Sequence, residues 1–436
     1  MQSTLHRFIR ICFVLSIFIA GLPITVGAQA SNSVQYTAVI DAGSSGSRIF
    51  LYETRKTPTF IEIRGVTLPN SRVTPGLSSY QQPTGSFAVS SAGDSLAPLL
   101  RTLRDHLAAN NISREQVPVY VLATAGMRQI DRQQPEVSRA IYQNVQDTIT
   151  RLGHPLGSKG VSTIPGSPML GPIGTLSGQN EALFGWLDVN YLMGNFDKNG
   201  QTVGIVEMGG ASAQVAYAVP ENFMNPNVVK QTVNGQTYYI FALSYLDLGL
   251  DQILRTAVAT RPDNHPCFVS GTPRLTGTKP EVRGRFDFIT CQNLFSTLIE
   301  PFFAEKAPLP AGSNFENAQF AGIGAIPAKL ARWNEKPNTL RKNPLIDASI
   351  LPEIIDVACK PDSWEAFLQW FNGPLEFAND LCAHSTYLQT FLFGSNVKVE
   401  KQMTSLNLSP SQLRSMDTIN QATTSWTRGL IVALGE

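Results

Sequence analysis

Two stretches of the chain share one alternation: an apolar run ending in a carboxylate, a turn of glycines and small polar residues, then a second apolar run. The first is Val39-Ile40-Asp41-Ala42-Gly43-Ser44-Ser45-Gly46-Ser47-Arg48-Ile49, which predicts a hairpin of strands over 36–40 and 48–53. About 166 residues later the pattern returns as Gly204-Ile205-Val206-Glu207-Met208-Gly209-Gly210-Ala211-Ser212-Ala213-Gln214-Val215. Between them, residues 92–110 and 136–152 repeat apolar positions at the helical period, and 117–122 reads as a buried strand. That strand runs into a third small-residue loop, Ala123-Thr124-Ala125-Gly126-Met127-Arg128. Residues 153–178, rich in Gly, Pro and Ser, predict a linker or hinge, and a helix opens at Ser177-Gly178 with Glu181 in its first turn. Trp364, Phe367, Trp370 and Phe371 fall at the spacing of an apolar helix face and read as core.

The paired turns suggest phosphate. Loops without bulky side chains let successive backbone N–H groups converge on an anion, and serine hydroxyls add donors. A carboxylate at the end of each first strand would repel that anion unless a cation stood between them. Asp41 and Glu207 therefore point to a divalent metal, held directly or through water. Two such turns imply two related half-sites.

Length and charge narrow the class. A chain of 436 residues is long enough for two ordinary domains, and a formal charge of +1 without basic runs argues against nucleic acid as partner. Residues 1–30 combine His6, Arg7 and Arg10, an apolar run over 11–20, and the small-residue site Ala28-Gln29-Ala30, which predicts a secretory signal cleaved near Ala30. The expected product is exported, monomeric and without a membrane anchor. Removal of Cys12 leaves Cys267, Cys291, Cys359 and Cys382. Their even number favours disulfides, and of the three pairings permitted, Cys267 with Cys291 and Cys359 with Cys382 closes the shortest loops.

No P-loop and no G-x-S-x-G is present, and no His stands beside a nucleophile, so direct attack by water is the chemistry that remains. Glu181, between the two turns, is the leading general base; its alternative is complementation of a helix dipole. Ser212 and Gln214 alternate along the strand leaving the second turn, so both can face one side and hold the same water.

The segments around Asp41, Thr124, Glu181 and Glu207 resemble, in order and spacing, the conserved regions of the nucleoside triphosphate diphosphohydrolases, or ecto-apyrases. The resemblance extends to 244–249, 382–387 and 425–430. It implies an α/β fold of two ribonuclease H-like domains, as in actin and sugar kinases, with nucleotide in the cleft. The expected division is 31–177, completed by a C-terminal helix at 415–436, and 178–414. It also implies Mg²⁺- or Ca²⁺-dependent hydrolysis of nucleoside tri- and diphosphates to the monophosphate. Glu181 would be the base, Ser212 and Gln214 the water holders, and Asp41 and Glu207 would bind the metal through water. Ser44, Ser45, Gly46 and Ser47, Thr124, Ala125 and Gly126, and the second turn, Gly209, Gly210 and Ala211, would be the phosphate ligands. An exopolyphosphatase-like enzyme of the same fold and a non-catalytic nucleotide-binding protein are the alternatives. Glu207 stands where the family usually has Asp, Ala182 where it has Gly, and Leu243 and Leu250 where many members have His and Arg. Residues 320–327 also lack the aromatics of vertebrate relatives.

Overall fold

The computed structural model describes residues 34–57, 60–160, 170–196, 201–261, 264–272, 284–308, 310–313, 315–333, 348–360, 363–394 and 405–435. The expected signal segment, Cys12 and the cleavage site lie outside these residues.

In the first half, strands β1 (Val34–Ala42) and β2 (Ser47–Lys56) form the expected hairpin, and β3 (Ile61–Val66) and the short β4 (Arg72–Val73) pair with β2. Helix α1 (Ala92–Ala109), strand β5 (Val119–Ala123), helices α2 (Ala125–Gln133) and α3 (Pro135–Arg151), strand β6 (Ile173–Thr175) and helix α4 (Gly178–Leu192) follow. The second half begins with strands β7 (Gly204–Met208), β8 (Ser212–Ala218), β9 (Val228–Val233) and β10 (Gln236–Leu246). Helices α5 (Leu250–Thr260) and α6 (Phe288–Glu305), strand β11 (Phe320–Gly324), and helices α7 (Ala325–Leu330), α8 (Leu351–Ala358), α9 (Trp364–Leu368) and α10 (Leu381–Phe393) come next. Strand β12 (Leu413–Ser415), a small hairpin of β13 (Thr418–Ile419) and β14 (Ala422–Thr423), and helix α11 (Trp426–Leu434) end the chain.

Each half builds the same sheet. The first runs β3-β2-β1-β5-β6, and the second β10-β8-β7-β11-β12 with β9 added at the outer edge. Counting main strands within each half, both orders are 3-2-1-4-5: an antiparallel trio followed by two parallel strands. This is the ribonuclease H-like α/β arrangement. It places Asp41 and Glu207 near the carboxyl ends of equivalent strands, β1 and β7.

The sheets lie on either side of two interior helices. Helix α4 packs on β7, β8 and β10, α11 packs on β1, β2 and β3, and the two helices cross each other. One apolar core joins Val39 and Leu122 of the first sheet, Leu183, Phe184 and Leu187 of α4, Leu430 of α11 and Ile205 of the second sheet. Two further cores back the outer faces, one with α1 to α3 and the other with α5 to α10. Where α4 meets α11, a Cβ on Gly429 would fall 1.8 Å from the carbonyl oxygen of Phe184, so only glycine fits. Beside it Arg428 donates to Asp188 at 2.6 Å, both buried, and the Ser425 amide donates to the same carboxylate at 2.7 Å.

The disulfides join Cys267 to Cys291 and Cys359 to Cys382, the pairing with the shortest loops. Three expectations need correction; the first is the helix expected over 415–436, which spans only Trp426–Leu434, because Ser415 ends β12 and 418–423 form the β13–β14 hairpin. Strand β6 lies inside the segment expected to be a linker and completes the first sheet against β5. The aromatic cluster does not sit on one helix face: α9 stops at Leu368, and Trp370 and Phe371 pack from the turn beyond it, where Phe371 bridges Trp333.

Replacing Gly429 with Ala should lower unfolding free energy by about 3 kcal/mol, at the upper end of ordinary overpacking because the obstacle is backbone. Urea denaturation of the variant would reveal this, and a loss below about 0.5 kcal/mol would mean that the helices part easily.

Candidate active site

The carboxyl ends of β1, β5 and β7, with the N-terminal turns of α2 and α4, face a common cleft. Gly43–Gly46 forms the first turn, between paired Ala42 and Ser47. It is packed from below: a Cβ on Gly76 would lie 2.2 Å from the Gly43 carbonyl, and one on Gly46 would lie 2.6 Å from that of Val73. Ser45 is exposed, whereas Ser47 is buried and its hydroxyl has no partner.

The third loop begins α2. Thr124 is its N-cap, and Ala125 and Gly126 occupy the first turn, where helical amides have no intrahelical acceptor. Gly126 is confined by the Cα of Ser44, 3.0 Å from where its Cβ would be, so the first and third loops touch.

The second turn, Gly209–Ala211, is tied down from behind. Its carbonyls accept from the amides of Leu250 (Gly209, 3.0 Å), Asp251 and Gln252 (Gly210, 2.9 and 3.0 Å) and Asp247 (Ala211, 2.8 Å). Ser44 Oγ approaches within 2.8 Å of a Cβ position on Gly210, so the two halves meet at these turns.

Helix α4 starts at a Ser177 cap whose hydroxyl accepts from the Asn180 amide at 3.1 Å, which fixes Glu181 in the first turn. Cross-strand pairing puts Gln214 directly opposite Glu207, so both share one face of the sheet, under α4. Gln214 Nε2 lies 2.6 Å from Ser212 Oγ and 3.1 Å from both Glu181 Oε2 and Ser244 Oγ, while its Oε1 is enclosed without a partner. Ser212, Gln214 and Glu181 therefore form one buried cluster.

Arg128 completes that cluster. From α2 it reaches Glu181 Oε2 at 2.8 Å, Ser212 Oγ at 2.9 Å and the Leu176 carbonyl at 3.0 Å. Sequence reasoning quoted Arg128 with its loop but gave it no role. The available signal was a cation one helical turn after Thr124. Ser244 and Trp426 were also passed over; the Trp426 side chain hydrogen-bonds Asp41.

Asp41 and Glu207 border the cleft, yet Asp41 Oδ1 and Glu207 Oε2 are enclosed without hydrogen-bond partners. Burial, and then the charge of Glu181, pushes the Asp41 carboxyl up to about 7. Burial, followed by the charges of Glu181 and Asp41, raises Glu207 well above the usual carboxylate range. Orphaned oxygens on two mutually repelling acids are the environment a divalent cation relieves, so these residues fit one. Among the described residues, no three His, Cys, Asp or Glu side chains converge to ligate a metal.

Leu243 and Leu250 are buried in the outer core of the second half, away from the cleft. A separate cavity of about 640 Å³ lies at the far end of the first sheet, lined by Thr37, Thr54, Lys56, Tyr120, Lys159 and Leu434. Its lysines donate to carbonyls at the end of α11, Lys159 to Leu434 at 2.6 Å and Lys56 to Gly435 at 3.4 Å. It has no part in the cleft chemistry.

Known proteins share the family and the fold of this chain. The model of the GDA1/CD39 (nucleoside phosphatase) family matches residues 28–436. A nucleoside-triphosphatase of Caenorhabditis elegans is 27% identical over 336 residues, covering 70% of this chain and 58% of the relative. Mouse ectonucleoside triphosphate diphosphohydrolase 2 is 31% identical over 272 residues, covering 57% of this chain and 49% of its own length. The chain thus spans about half the length of the curated relatives it matches. Among solved structures, nucleoside triphosphate hydrolases from Neospora caninum share the fold at a TM-score of 0.58, with 17% identity and 92% of each chain covered. With its family model spanning nearly every residue from the first hairpin to the last helix, the chain belongs to the GDA1/CD39 (nucleoside phosphatase) family.

Proposed function

We propose that this protein hydrolyses nucleoside tri- and diphosphates to the monophosphate by direct attack of water on the terminal phosphorus. The observation that carries the reading is the buried Glu181–Gln214–Ser212 cluster set between two turns of matching strand position. Glu181 takes the proton as the water oxygen bonds to phosphorus and the bridging P–O bond breaks, releasing phosphate. Arg128 and Gln214 both bond Glu181 Oε2, and Oε1 is the oxygen assigned to the proton. Ser212 and the orphaned Oε1 of Gln214 orient the water. Residues 44–47, 124–126 and 209–211 surround the phosphate oxygens with amides and hydroxyls, apart from the amides of Thr124 and Gly209, which donate to the carbonyls of Ala42 and Ser212. A divalent cation, Mg²⁺ or Ca²⁺, held by Asp41 and Glu207 through water, would neutralise charge on the terminal phosphates. Arg128 fixes Glu181 and spans the halves.

The same reading divides the chain into 31–177, completed by 415–436, and 178–414. Sheet membership supports this, with α11 lying on the first sheet after β12 has closed the second. Export through a cleaved N-terminal signal is part of the proposal and is supported by two disulfides, which belong to an oxidising compartment. No helix among the described residues is long and apolar enough to cross a membrane.

Glu181→Gln should lower kcat by about 10²–10⁴ and barely move KM. Because Glu181 charge helps to raise both neighbouring acids, the fall of Tm with pH in chelator should also be shallower in the variant than in wild type. Phosphate release from ATP and ADP, with thermal melts, checks both; unchanged turnover would reduce Glu181 to a helix-end charge.

The raised carboxyls carry a pH signature. An acid whose folded pKa lies above its unfolded value stabilises the protein while protonated, and that contribution is lost as pH rises through the folded pKa. For Asp41 the window runs from its ordinary 3.8 to about 7. In chelator, therefore, Tm should fall between about pH 4 and 7. Added Mg²⁺ or Ca²⁺ should raise Tm more at pH 8 than at pH 5.5, where it must displace protons. An equal gain at both values would speak against a cation on these acids.

Leu243 and Leu250, buried in the core, offer the nucleobase neither charge nor stacking. Binding then rests on phosphate, so kcat/KM for ATP, GTP, UTP and CTP should agree within about tenfold, since one lost stacking contact is worth roughly 0.5–2 kcal/mol. AMP should be inert. A hundredfold preference for one base in steady-state assays would reveal a pocket formed by other residues.

A further inference from the structure

Asp247 stands at the turn between β10 and α5 with φ of +78°, a left-handed backbone that costs any residue with a Cβ. Glycine would adopt it freely, yet the chain places a carboxylate there. That carboxylate is used across the cleft: Gln129 Nε2 donates to one oxygen at 2.6 Å, and Arg132 Nη2 to the other at 3.2 Å. Gln129 and Arg132 lie three residues apart, on one face of α2, whose first turn is Thr124–Gly126. From the same residue the backbone amide donates to the carbonyl of Ala211 at 2.8 Å. One residue thus grips the helix that begins at the third loop and the back of the second turn. A left-handed residue spent on such a link points to function rather than to a casual turn. Arg132 is mostly exposed, so its ion pair alone contributes little, and the grip depends on both donors.

We propose that Asp247 is a positioning residue that holds the two phosphate-binding half-sites in register by coupling α2 to residues 209–211. The consequence for turnover rests on the hydrolytic reading above. Structural coupling does not.

The test uses the full chain carrying Asp247→Gly, Asp247→Asn, Arg132→Ala and Gln129→Ala, and the doubles with Asp247→Gly. The readouts are kcat and KM for ATP with Mg²⁺, Tm, and hydrogen exchange of segments 125–133 and 209–211. Asp247→Gly relieves the left-handed backbone, so Tm should stay within about 2 °C, while kcat falls roughly 10- to 100-fold, as misplacement of reacting groups does. KM should change less than about threefold, and exchange in both segments should quicken together. Asp247→Asn keeps an acceptor for Gln129 and a side chain tolerant of this backbone, and should remain within about threefold of wild type. Adding Arg132→Ala or Gln129→Ala to Asp247→Gly should cost nothing more, because the partners share one interaction. Multiplying losses in the doubles, wild-type kcat in Asp247→Gly, or a kcat loss accompanied by a large fall in Tm would each overturn the proposal. Should wild type release no phosphate from any nucleotide, the hydrolytic reading fails and exchange alone decides: unaltered exchange in Asp247→Gly sinks the coupling as well.

Discussion

Excess negative charge in a nearly closed interior is the constraint on which the cleft depends. Asp41, Glu181, Asp188 and Glu207 converge, and each buried carboxylate needs a partner to offset lost hydration. The helices carry the matched pairs: Asp188 on α4 has Arg428 of α11, and Glu181 has Arg128 of α2. The strand ends carry the unmatched acids, Asp41 and Glu207. Even with Arg428 beside it, burial holds the Asp188 carboxyl up at about 6. Even counting Arg48, whose charge opposes the rise of Asp41, three guanidiniums for four acids leave a deficit at the place where phosphate would add more negative charge. A cation held by Asp41 and Glu207, as proposed above, would offset that deficit.

The repeated sheet explains why the acids converge. Equivalent strands bring equivalent positions to the cleft from both sides, and α4 and α11 fill the space between. The halves are not identical, and their differences are accommodated locally. Glu207 is one methylene longer than Asp41, and its Oε2 lies 3.3 Å from where a Cβ on Gly185 would be. Gly185 is one helical turn beyond Glu181 on α4. The longer side chain therefore fits because the facing helix has no side chain there, and that fit brings Glu207 beneath the same helix face as the proposed base.

Local chemistry made much of this legible. The hairpins announce themselves through an alternating pattern broken by glycine and serine, α1 and α3 through their apolar period, and α4 through its Ser177 cap. Strand β6 did not, because three residues among prolines and glycines give no period, and only pairing with β5 makes them a strand. The aromatic cluster misled because core packing constrains burial rather than helicity. Arg128 and Asp247 escaped for another reason. Their partners lie 53 and 115 to 118 residues away, on the opposite side of the cleft, so the local sequence names neither partner.

The second turn shows how such distant contacts produce preorganisation. Its three carbonyls are taken by amides of residues 247 to 252, so the peptide planes cannot turn without breaking four hydrogen bonds. That rear segment is itself held by α10, where Tyr387 donates to the Leu248 carbonyl at 2.6 Å and His384 Nε2 lies 3.2 Å from the Leu250 carbonyl. Helix α10 is bound to the end of α8 through Cys359–Cys382, with Cys382 only two residues before His384. The strut therefore runs from a disulfide through a buried helix to the backbone of the proposed phosphate site. Dipoles fixed in this way need no rearrangement when charge develops, which is where a preorganised site gains over water. The rigidity at the turn is supplied from the core behind it, so the proposed phosphate site is fixed by contacts that take no part in the chemistry.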